Sequence, residues 1–216
     1  MKVGLIIPTR GDRKQFLDFA KKQIQKQFRK PDEIIVVDDP PKSNKKDITY
    51  RYKLGIERAV AKGCDVMLFW EDDDWYDRDY IRWMIDRWEY NGKPALFGVD
   101  ETYYYHIGFD KYLYMKHQHR ASAFCTLVTP KVLETFIWPD FSYPFVDMKL
   151  WRFFKNNAVS IPFGNKIRAI GIKHGIGLTG GGGHRKNFKW SNQQGHSWLV
   201  NNIDKEAYDF YKKIAK

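Results

Sequence analysis

The stretch of sequence that sets the fold is Asp65-Val66-Met67-Leu68-Phe69-Trp70-Glu71-Asp72-Asp73-Asp74. Its apolar part predicts a buried strand over residues 65–70, and four acids follow that strand directly. Like charges a few ångströms apart raise one another's pKa, so a bound divalent cation would stabilise the cluster. Oxygen ligands suit Mg²⁺ or Mn²⁺, and the cluster therefore predicts a site for one of them. The alternative is an acidic loop in which Asp74 or Asp77 caps the next helix.

Two similar apolar runs precede this one, at residues 3–7 and 33–38, and helical spacing of apolar residues follows each run. We predict helices over residues 13–28, 48–62 and 77–90. Strand–helix alternation with apolar strands predicts an α/β fold: a Rossmann-like, mostly parallel central sheet flanked by helices, in a single domain over residues 1–216. The second half is less regular. It predicts a strand at 95–99, a β-ribbon at 103–115, a short helix from 129, a helix at 146–156, a strand at 167–172 and a helix at 205–214.

Polar residues follow the first three predicted strands, in the segments Thr9-Arg10-Gly11-Asp12, Asp38-Asp39 and Glu71-Asp72-Asp73-Asp74. Parallel sheets bind ligands beyond the carboxyl ends of their strands, so we expect these segments at one edge. The chain has neither GxGxxG after its first strand nor GxxxxGK[ST]. A metal and basic side chains must therefore hold any diphosphate, and the candidates are Arg10, Arg13, Arg51 and Lys53.

The charge balance is strongly basic, with 37 Lys+Arg against 26 Asp+Glu and a formal net charge of +11. This favours an anionic partner; the alternative is a solvated basic surface. Two cysteines provide no disulfide framework, which predicts a reducing, cytoplasmic setting, or the host cytoplasm for a viral protein. No apolar run approaches the roughly 20 residues of a membrane span, so the sequence predicts a soluble or peripheral protein.

Three segments stand at the predicted strand ends in a fixed order: Val3-Gly4-Leu5-Ile6-Ile7-Pro8-Thr9-Arg10, Glu33-Ile34-Ile35-Val36-Val37-Asp38-Asp39 and Phe69-Trp70-Glu71-Asp72-Asp73-Asp74-Trp75-Tyr76. They resemble the family 2 glycosyltransferases of the GT-A fold, which read roughly VSVIIPTYN, EIIVVDD and LDxDDWWxPD. Residues 54–63 and 146–151 resemble the family's NxGxxxAxG and EDxxLW motifs. The resemblance spans residues 3–174. It implies a GT-A fold and transfer of a sugar from a nucleotide-sugar, usually a UDP-sugar, with Mg²⁺ or Mn²⁺ as cofactor.

The resemblance also implies roles for individual residues. Asp39 would meet the nucleobase, Thr9 would line the same pocket, and Asp72 would lie near the ribose. The residues that would bind the nucleotide-sugar are Pro8, Thr9, Arg10, Asp39, Lys53 and Asp72. Asp73 matches the metal-binding acid of the DxD motif, although Asp72-Asp73-Asp74 also fits that motif.

In the second half, Asp147 matches the general base of inverting members; its alternative role is a helix N-cap. His174 matches a metal-binding histidine that precedes a flexible loop, here the glycine-rich residues 175–183, and His184 is the competing ligand. We predict that residues 1–100 bind the nucleotide-sugar and that residues 101–216 bind the acceptor and carry the catalysis.

The sequence departs from the family's pattern at four places. Pro40-Pro41 replaces Gly-Ser, which makes the geometry of that loop uncertain. Lys53 stands where Asn is common, Val146 replaces the first acid of EDxxLW, and Glu71 replaces the leading Asp of LDxDD. None of these changes removes a group that the mechanism requires.

The acceptor is left open by the sequence. Basic residues interleave with aromatics in residues 111–120 and 184–190, which is compatible with DNA carrying a hydroxylated base as acceptor. An anionic glycan or a lipid headgroup would suit the same charge. Two other functions are the alternatives: a nucleotidyltransferase, and a non-catalytic module that binds sugar or nucleic acid.

Overall fold

Two β-sheets with surrounding helices form the part of the chain that the computed structural model describes, which is residues 1–40, 46–175, 190–191 and 195–214. The strands are β1 (Val3–Pro8), β2 (Glu33–Val37), β3 (Val66–Phe69), β4 (Trp75–Tyr76), β5 (Leu96–Val99), β6 (Glu101–His106), β7 (Lys111–Lys116), β8 (Thr126–Val128), β9 (Ala158–Ile161) and β10 (Ala169–Lys173). The helices are α1 (Lys14–Gln25), α2 (Ile48–Ala61), α3 (Tyr80–Tyr90), α4 (Lys131–Thr135), α5 (Val146–Phe153), α6 (Gly195–Asn202) and α7 (Lys205–Ile214).

The central sheet has the strand order β2-β1-β3-β8-β5-β9. The pairings β1–β2, β1–β3 and β5–β9 are parallel, and β8 runs antiparallel to both of its neighbours, β3 and β5. The prediction of an α/β domain with a central sheet flanked by helices is confirmed. Because β1, β2 and β3 are mutually parallel, their carboxyl ends meet at one edge of this sheet.

The apolar runs explain why the centre of the sheet forms where it does. Every residue of β1 is buried, since helices and neighbouring strands cover it on both faces. Helix α2 packs very close to this strand at Gly55. A Cβ atom at Gly55 would lie 2.3 Å from the Cγ2 atom of Ile6, so a larger residue would push the helix away.

A second sheet, in the order β4-β10-β6-β7, lies beside the acidic segment. Strands β10 and β6 are parallel, and β6 and β7 form the predicted ribbon. The Asp74 carboxylate accepts a hydrogen bond of 2.8 Å from the backbone N–H of Ile172 in β10. The Gln23 side chain, from α1, donates to the carbonyl of Asp74 and accepts from the N–H of Tyr76. These bonds fix the acidic segment between α1 and the second sheet.

Several elements differ from the sequence prediction. The third helix begins at Tyr80 rather than at residue 77, because Trp75 and Tyr76 form the short strand β4 against β10. Strands β8 and β9 and helix α6 were not predicted. Residues 176–183 of the predicted loop lie outside the described residues. None of the helices described is long and apolar enough to cross a bilayer.

Candidate active site

A cavity of about 680 Å³ opens at the carboxyl ends of β1 and β3. We call one side the strand-end wall; it consists of Pro8, Thr9, Arg10, Arg13, Arg51, Glu71, Asp72 and Asp73. We call a second part of the lining the α5 wall; it consists of Met115, Lys116, His117, Arg120, Ser122, Phe145, Asp147 and Met148. Tyr104 and Lys173, from the second sheet, also line the cavity, and the remaining lining residues are Lys46, Asp47, Ile48, Ala123, Phe124 and Pro144. The cavity has the size of a typical small-molecule site.

Asp72 and Asp73 share one guanidinium on the strand-end wall. Arg13 donates to Asp72 Oδ1 at 2.5 Å and to Asp73 Oδ2 at 2.9 Å. His174 follows β10, and its Nε2 atom lies 2.8 Å from the same Asp73 Oδ2. The imidazole packs against the ring of Phe16, with centroids 4.4 Å apart. The structure therefore brings together Asp73 and His174, the two predicted metal ligands, which are 101 residues apart.

The four carboxyl groups of the acidic cluster, Glu71 to Asp74, differ in how firmly they hold a negative charge. Burial and the charge of Asp73 raise the pKa of Asp72 to about 7, against the opposing charge of Arg13. Burial also raises the pKa of Glu71 and of Asp74. For Asp73, burial works in the same direction, but the hydrogen bond with His174 and the charge of Arg13 outweigh it and lower the pKa. Asp73 is thus the member of the cluster that holds its negative charge most firmly.

The donor set of this cluster fits a divalent cation. Glu71, Asp73 and Asp74 each offer a carboxylate oxygen, and these oxygens lie within 4.8 Å of one another. The Asp74 Oδ2 atom is buried and receives no hydrogen bond from any residue that the structure describes. Carboxylate oxygens beside an imidazole nitrogen are ligands that Mg²⁺ and Mn²⁺ accept. Because Glu71 and Asp73 line the cavity, a cation held by them and by His174 would face a bound substrate.

The position of Asp74 bears on the choice of register for the DxD motif. Its side chain is fully buried and hydrogen-bonded to β10, whereas Asp73 lines the cavity. This arrangement favours Asp73 as the metal ligand that faces the substrate. The competing ligand His184 lies outside the described residues.

Lys173 is a cation of the site that we did not predict. Its Nζ atom lies 4.6 Å from the centroid of the Tyr104 ring. Burial lowers the pKa of Lys173, but the charges of Asp74, Glu71 and Asp73 raise this pKa by more than burial lowers it. The amine therefore stays protonated. One sequence signal could have revealed it: Lys173 ends an apolar strand, at the position where this fold places functional groups.

Asp147 is the carboxylate of the α5 wall. Its side chain is 16% exposed, and the guanidinium of Arg120 lies 3.6 Å away. Burial raises the pKa of Asp147, and the charge of Arg120 opposes this only in part. The group therefore accepts a proton more readily than an ordinary aspartate does. The helix begins at Val146 with Phe145 at its N-cap, so Asp147 is not the capping residue.

The other predicted nucleotide-sugar ligands divide into two groups. Pro8, Thr9, Arg10 and Asp72 line the cavity. Asp39 and Lys53 are not among the described residues that line it. Asp39 accepts two hydrogen bonds of 2.8 Å from Arg58, which lower its pKa, and Lys53 forms an ion pair with Glu57. The roles of Asp39 and Lys53 in donor binding stay predictions.

Arg51, a member of the strand-end wall, holds the backbone of that wall in place. Its buried guanidinium donates to the carbonyls of Thr9, Val37 and Asp39 and to the carboxylate of Asp47. It therefore holds the ends of β1 and β2 together. Among the basic candidates from the sequence, Arg51 is structural and Arg13 contacts the acids directly.

The sequence matches no protein-family model, and no curated protein matches it. Solved structures do match. S. aureus TarS (residues 1–349, in complex with UDP-GlcNAc) is similar over 100% of this chain and 70% of that one, with TM-score 0.56 and 11% identity. The longer TarS structure is similar over 81% of this chain, with TM-score 0.53 and 12% identity, and the chain spans 37% of it. A glycosyltransferase involved in glycosylation of the major capsid of PBCV-1 gives TM-score 0.40 and 10% identity over 70% of this chain and 66% of that one.

The fold is the GT-A fold of glycosyltransferases. This confirms the fold that the strand-end motifs predicted. Asp72 and Asp73 line the cavity beyond the carboxyl ends of the parallel strands. Parallel sheets bind their ligands at this edge. At this level of identity the likeness concerns the fold, and the chemistry must be argued from the side chains.

Proposed function

We propose that this chain is a glycosyltransferase that uses Mg²⁺ or Mn²⁺ to transfer a sugar from a nucleotide-sugar, a UDP-sugar by the resemblance above, to an acceptor hydroxyl with inversion. One observation carries the proposal: the acids and cations of the strand-end wall and the carboxylate of Asp147 line the same cavity of a GT-A fold. The complex of TarS with UDP-GlcNAc supports a nucleotide-sugar as the donor class.

The strand-end wall would bind the donor. A divalent cation held by Glu71, Asp73 and His174 would act as a Lewis acid toward the diphosphate when bound. Arg13 and Lys173 line the same region and add fixed positive charge beside it. Groups that are already oriented stabilise charge on a leaving group without rearranging. The cation and these basic side chains would together hold the diphosphate in place of the glycine-rich phosphate loop that the sequence lacks.

The α5 wall would carry the proton transfer. Asp147 would accept the proton of the acceptor hydroxyl, and the hydroxyl oxygen would form a bond to the anomeric carbon. The bond from that carbon to the nucleoside diphosphate would break, and the diphosphate would leave with the bonding electron pair. Asp147 and the acid cluster belong to different elements of the cavity lining, so a sugar bound between them would be attacked on one face and would lose the diphosphate from the other. This arrangement supports inversion.

A thermal-shift panel tests the donor and the metal together. We expect one nucleotide-sugar to raise the melting temperature only when Mg²⁺ or Mn²⁺ is present. At about 100 times its Kd, such a ligand stabilises the folded state by about 2.7 kcal/mol. The control is the Asp73→Asn variant, which should lose the metal-dependent part. If no nucleotide-sugar shifts the melting temperature in either metal, the proposed function is wrong.

Product analysis separates this proposal from the nucleotidyltransferase and from a non-catalytic module. Acting on a nucleotide-sugar, a glycosyltransferase releases a nucleoside diphosphate, a nucleotidyltransferase transfers the nucleoside monophosphate group and releases sugar 1-phosphate, and a binding module releases neither. Phosphorus NMR of a reaction with the stabilising nucleotide-sugar distinguishes the three outcomes. The acceptor classes that the charge suggested, DNA with a hydroxylated base, a glycan and a lipid-linked glycan, can be supplied in the same assay.

A further inference from the structure

Exposed apolar side chains are concentrated in one part of the surface. Eleven large hydrophobic side chains are exposed among the residues that the structure describes, and five of them fall within residues 137–153. These five are Ile137, Phe141, Phe145, Met148 and Phe153. Single exposed apolar residues are normal on proteins, but a concentration of them marks an interaction surface.

Helix α5 arranges part of this set on one face, which we call the α5 face: Phe145, Met148, Lys149, Arg152 and Phe153. At 100° per residue, these five positions fall within one side of the helix. Val146, Leu150 and Trp151, on the remaining sides, are buried against the domain. On the α5 face, Phe145 is 52%, Met148 is 48% and Phe153 is 47% exposed. The side of this helix that faces water therefore exposes three large apolar side chains.

The charges on the α5 face are all positive. Lys149 and Arg152 lie between the apolar side chains, and Lys155 follows the helix; all three are exposed. The acid of this helix, Asp147, is directed into the cavity. Duplex DNA would contact the cations of this face through its phosphates, but its bases are stacked inside the helix and would not cover the exposed apolar side chains. Apolar side chains interleaved with cations instead match a bilayer interface, where the former enter the acyl boundary and the latter meet anionic headgroups.

We propose that the α5 face binds the surface of an anionic lipid bilayer. Phe145 and Met148 belong both to this face and to the cavity lining, so the cavity would open at the membrane. In combination with the proposed function, on which this part rests, the orientation would present a lipid-borne hydroxyl acceptor to Asp147. Membrane binding itself does not depend on catalysis.

Vesicle co-sedimentation of the full chain tests the surface. We expect the protein to pellet with vesicles of phosphatidylcholine and phosphatidylglycerol in equal parts, and far less with phosphatidylcholine alone. Added salt should weaken the binding. The double variant Phe153→Ser/Arg152→Gln should lose about tenfold or more in partitioning, because it removes one inserted aromatic ring and one headgroup contact. Neither residue lines the cavity, so nucleotide-sugar binding should be unchanged in this variant.

The matched control is Phe28→Ser/Arg82→Gln. It also removes an exposed aromatic ring and an adjacent guanidinium, which lies 5.3 Å from that ring, but at a different part of the surface. Phe153 contacts the ring of Phe136, so a fold defect in the double variant is checked by its melting temperature. If it unfolds, Arg152→Glu alone, at an exposed position, should reduce anionic binding.

Three results would overturn the proposal. One is equal vesicle binding by the α5-face variant and the control variant. The second is no pelleting of the wild type with anionic vesicles at low salt. The third is binding to duplex DNA through Lys149 and Arg152 without any binding to vesicles. A protein that pellets with vesicles but shows no nucleotide-sugar binding would retain this surface and refute the proposed function instead.

Discussion

On the strand-end wall, Asp72 and Asp73 lie against Arg13, and Asp73 also contacts His174. On the α5 wall, Asp147 has one cation within reach, Arg120 at 3.6 Å. Both walls bury their carboxylates, yet the pKa of Asp73 is lowered while the pKa of Asp147 is raised. The difference lies in the number and closeness of the partners. Asp73, with both His174 and Arg13 close to it, keeps its charge, whereas Asp72, with Arg13 alone, and Asp147, with Arg120 at 3.6 Å, have raised pKa values.

The largest effect should come from the carboxylate of the α5 wall. We expect Asp147→Asn to lower kcat by about 10³-fold, within the 10²–10⁴-fold range of general-base catalysis. Nucleotide-sugar binding should remain, because the acids of the strand-end wall are untouched. Steady-state kinetics measure kcat, and the thermal-shift assay measures nucleotide-sugar binding. The control is Glu134→Gln, which changes an exposed acid. Near-normal turnover in Asp147→Asn would remove Asp147 from the role of base.

The next effect concerns the strand-end wall. Asp73→Asn should lower kcat/KM by about 10²-fold, the loss that removal of one preorganised electrostatic group typically causes. It should also abolish the metal-dependent thermal shift, which Asp147→Asn should keep. The control is Asp12→Asn, an exposed acid near the same cavity mouth. If Asp73→Asn and Asp147→Asn lose the metal-dependent thermal shift equally, metal binding and proton transfer are not separated between the two walls as proposed.

Removal of Arg13 should destabilise the fold. We expect Arg13→Gln to lower the free energy of unfolding by about 2 kcal/mol at neutral pH, less than the 3–5 kcal/mol typical of a fully buried pair, because water still reaches Arg13 and Asp73. Without Arg13 the folded-state pKa values of Asp72 and Asp73 rise. The variant thus loses more stability above the ordinary aspartate pKa than near pH 4.

Urea unfolding at two pH values measures this difference. Arg10→Gln is the matched control on the same loop, since Arg10 only approaches the exposed Asp12, at 3.6 Å. A loss of stability in Arg13→Gln that is the same at both pH values would show that Arg13 contributes through packing on Phe16 rather than through charge.

The smallest effect is a shift in the pH profile. Asp147 must be ionised to accept a proton, and burial raises its pKa, so kcat should fall with decreasing pH at a higher pH than for an ordinary aspartate. Arg120 lowers that pKa, so Arg120→Gln should move the acidic limb to higher pH. Lys116→Gln, whose nearest carboxylate is Asp100 at 4.0 Å, should leave the limb in place. An unmoved limb in Arg120→Gln would assign it to another group.

The first three strands and the strand-end acids were predictable because their signals are local. An apolar β-branched run predicts β1 from six adjacent residues, and only Trp70 separates β3 from the acids. Strand β8 has three residues and pairs with β3 and β5, both far away in the chain. No periodicity can develop over such a length, so its pairing is decided by the space left between two other strands.

The same distinction applies to the site. Asp73 and Asp147 stand in motifs and His174 precedes the glycine-rich residues, so the sequence alone selected all three as candidates, and their roles stay predictions. Lys173 and Arg120 act through partners that tertiary structure supplies: the ring of Tyr104 for the former and Asp147 for the latter. A basic residue in a chain of net charge +11 carries no local mark of such a partner. Asp39 is the reverse case. It stands in a motif that predicts donor binding, but in the structure its carboxylate accepts a hydrogen bond from Arg58, which the motif does not indicate.

The hydrogen bond between Asp74 and the N–H of Ile172 closes a loop of 98 residues. Contacts of such long sequence separation form late in folding, because the entropy of the whole loop is lost before they contribute. The acidic segment can therefore be ordered only after β10 has joined β4 and β6. A nascent chain that has completed β1, β2 and β3 would already contain a hydrophobic sheet while its cation site was still unformed. Native-state hydrogen exchange should accordingly show faster opening at Ile172 than at Ile6.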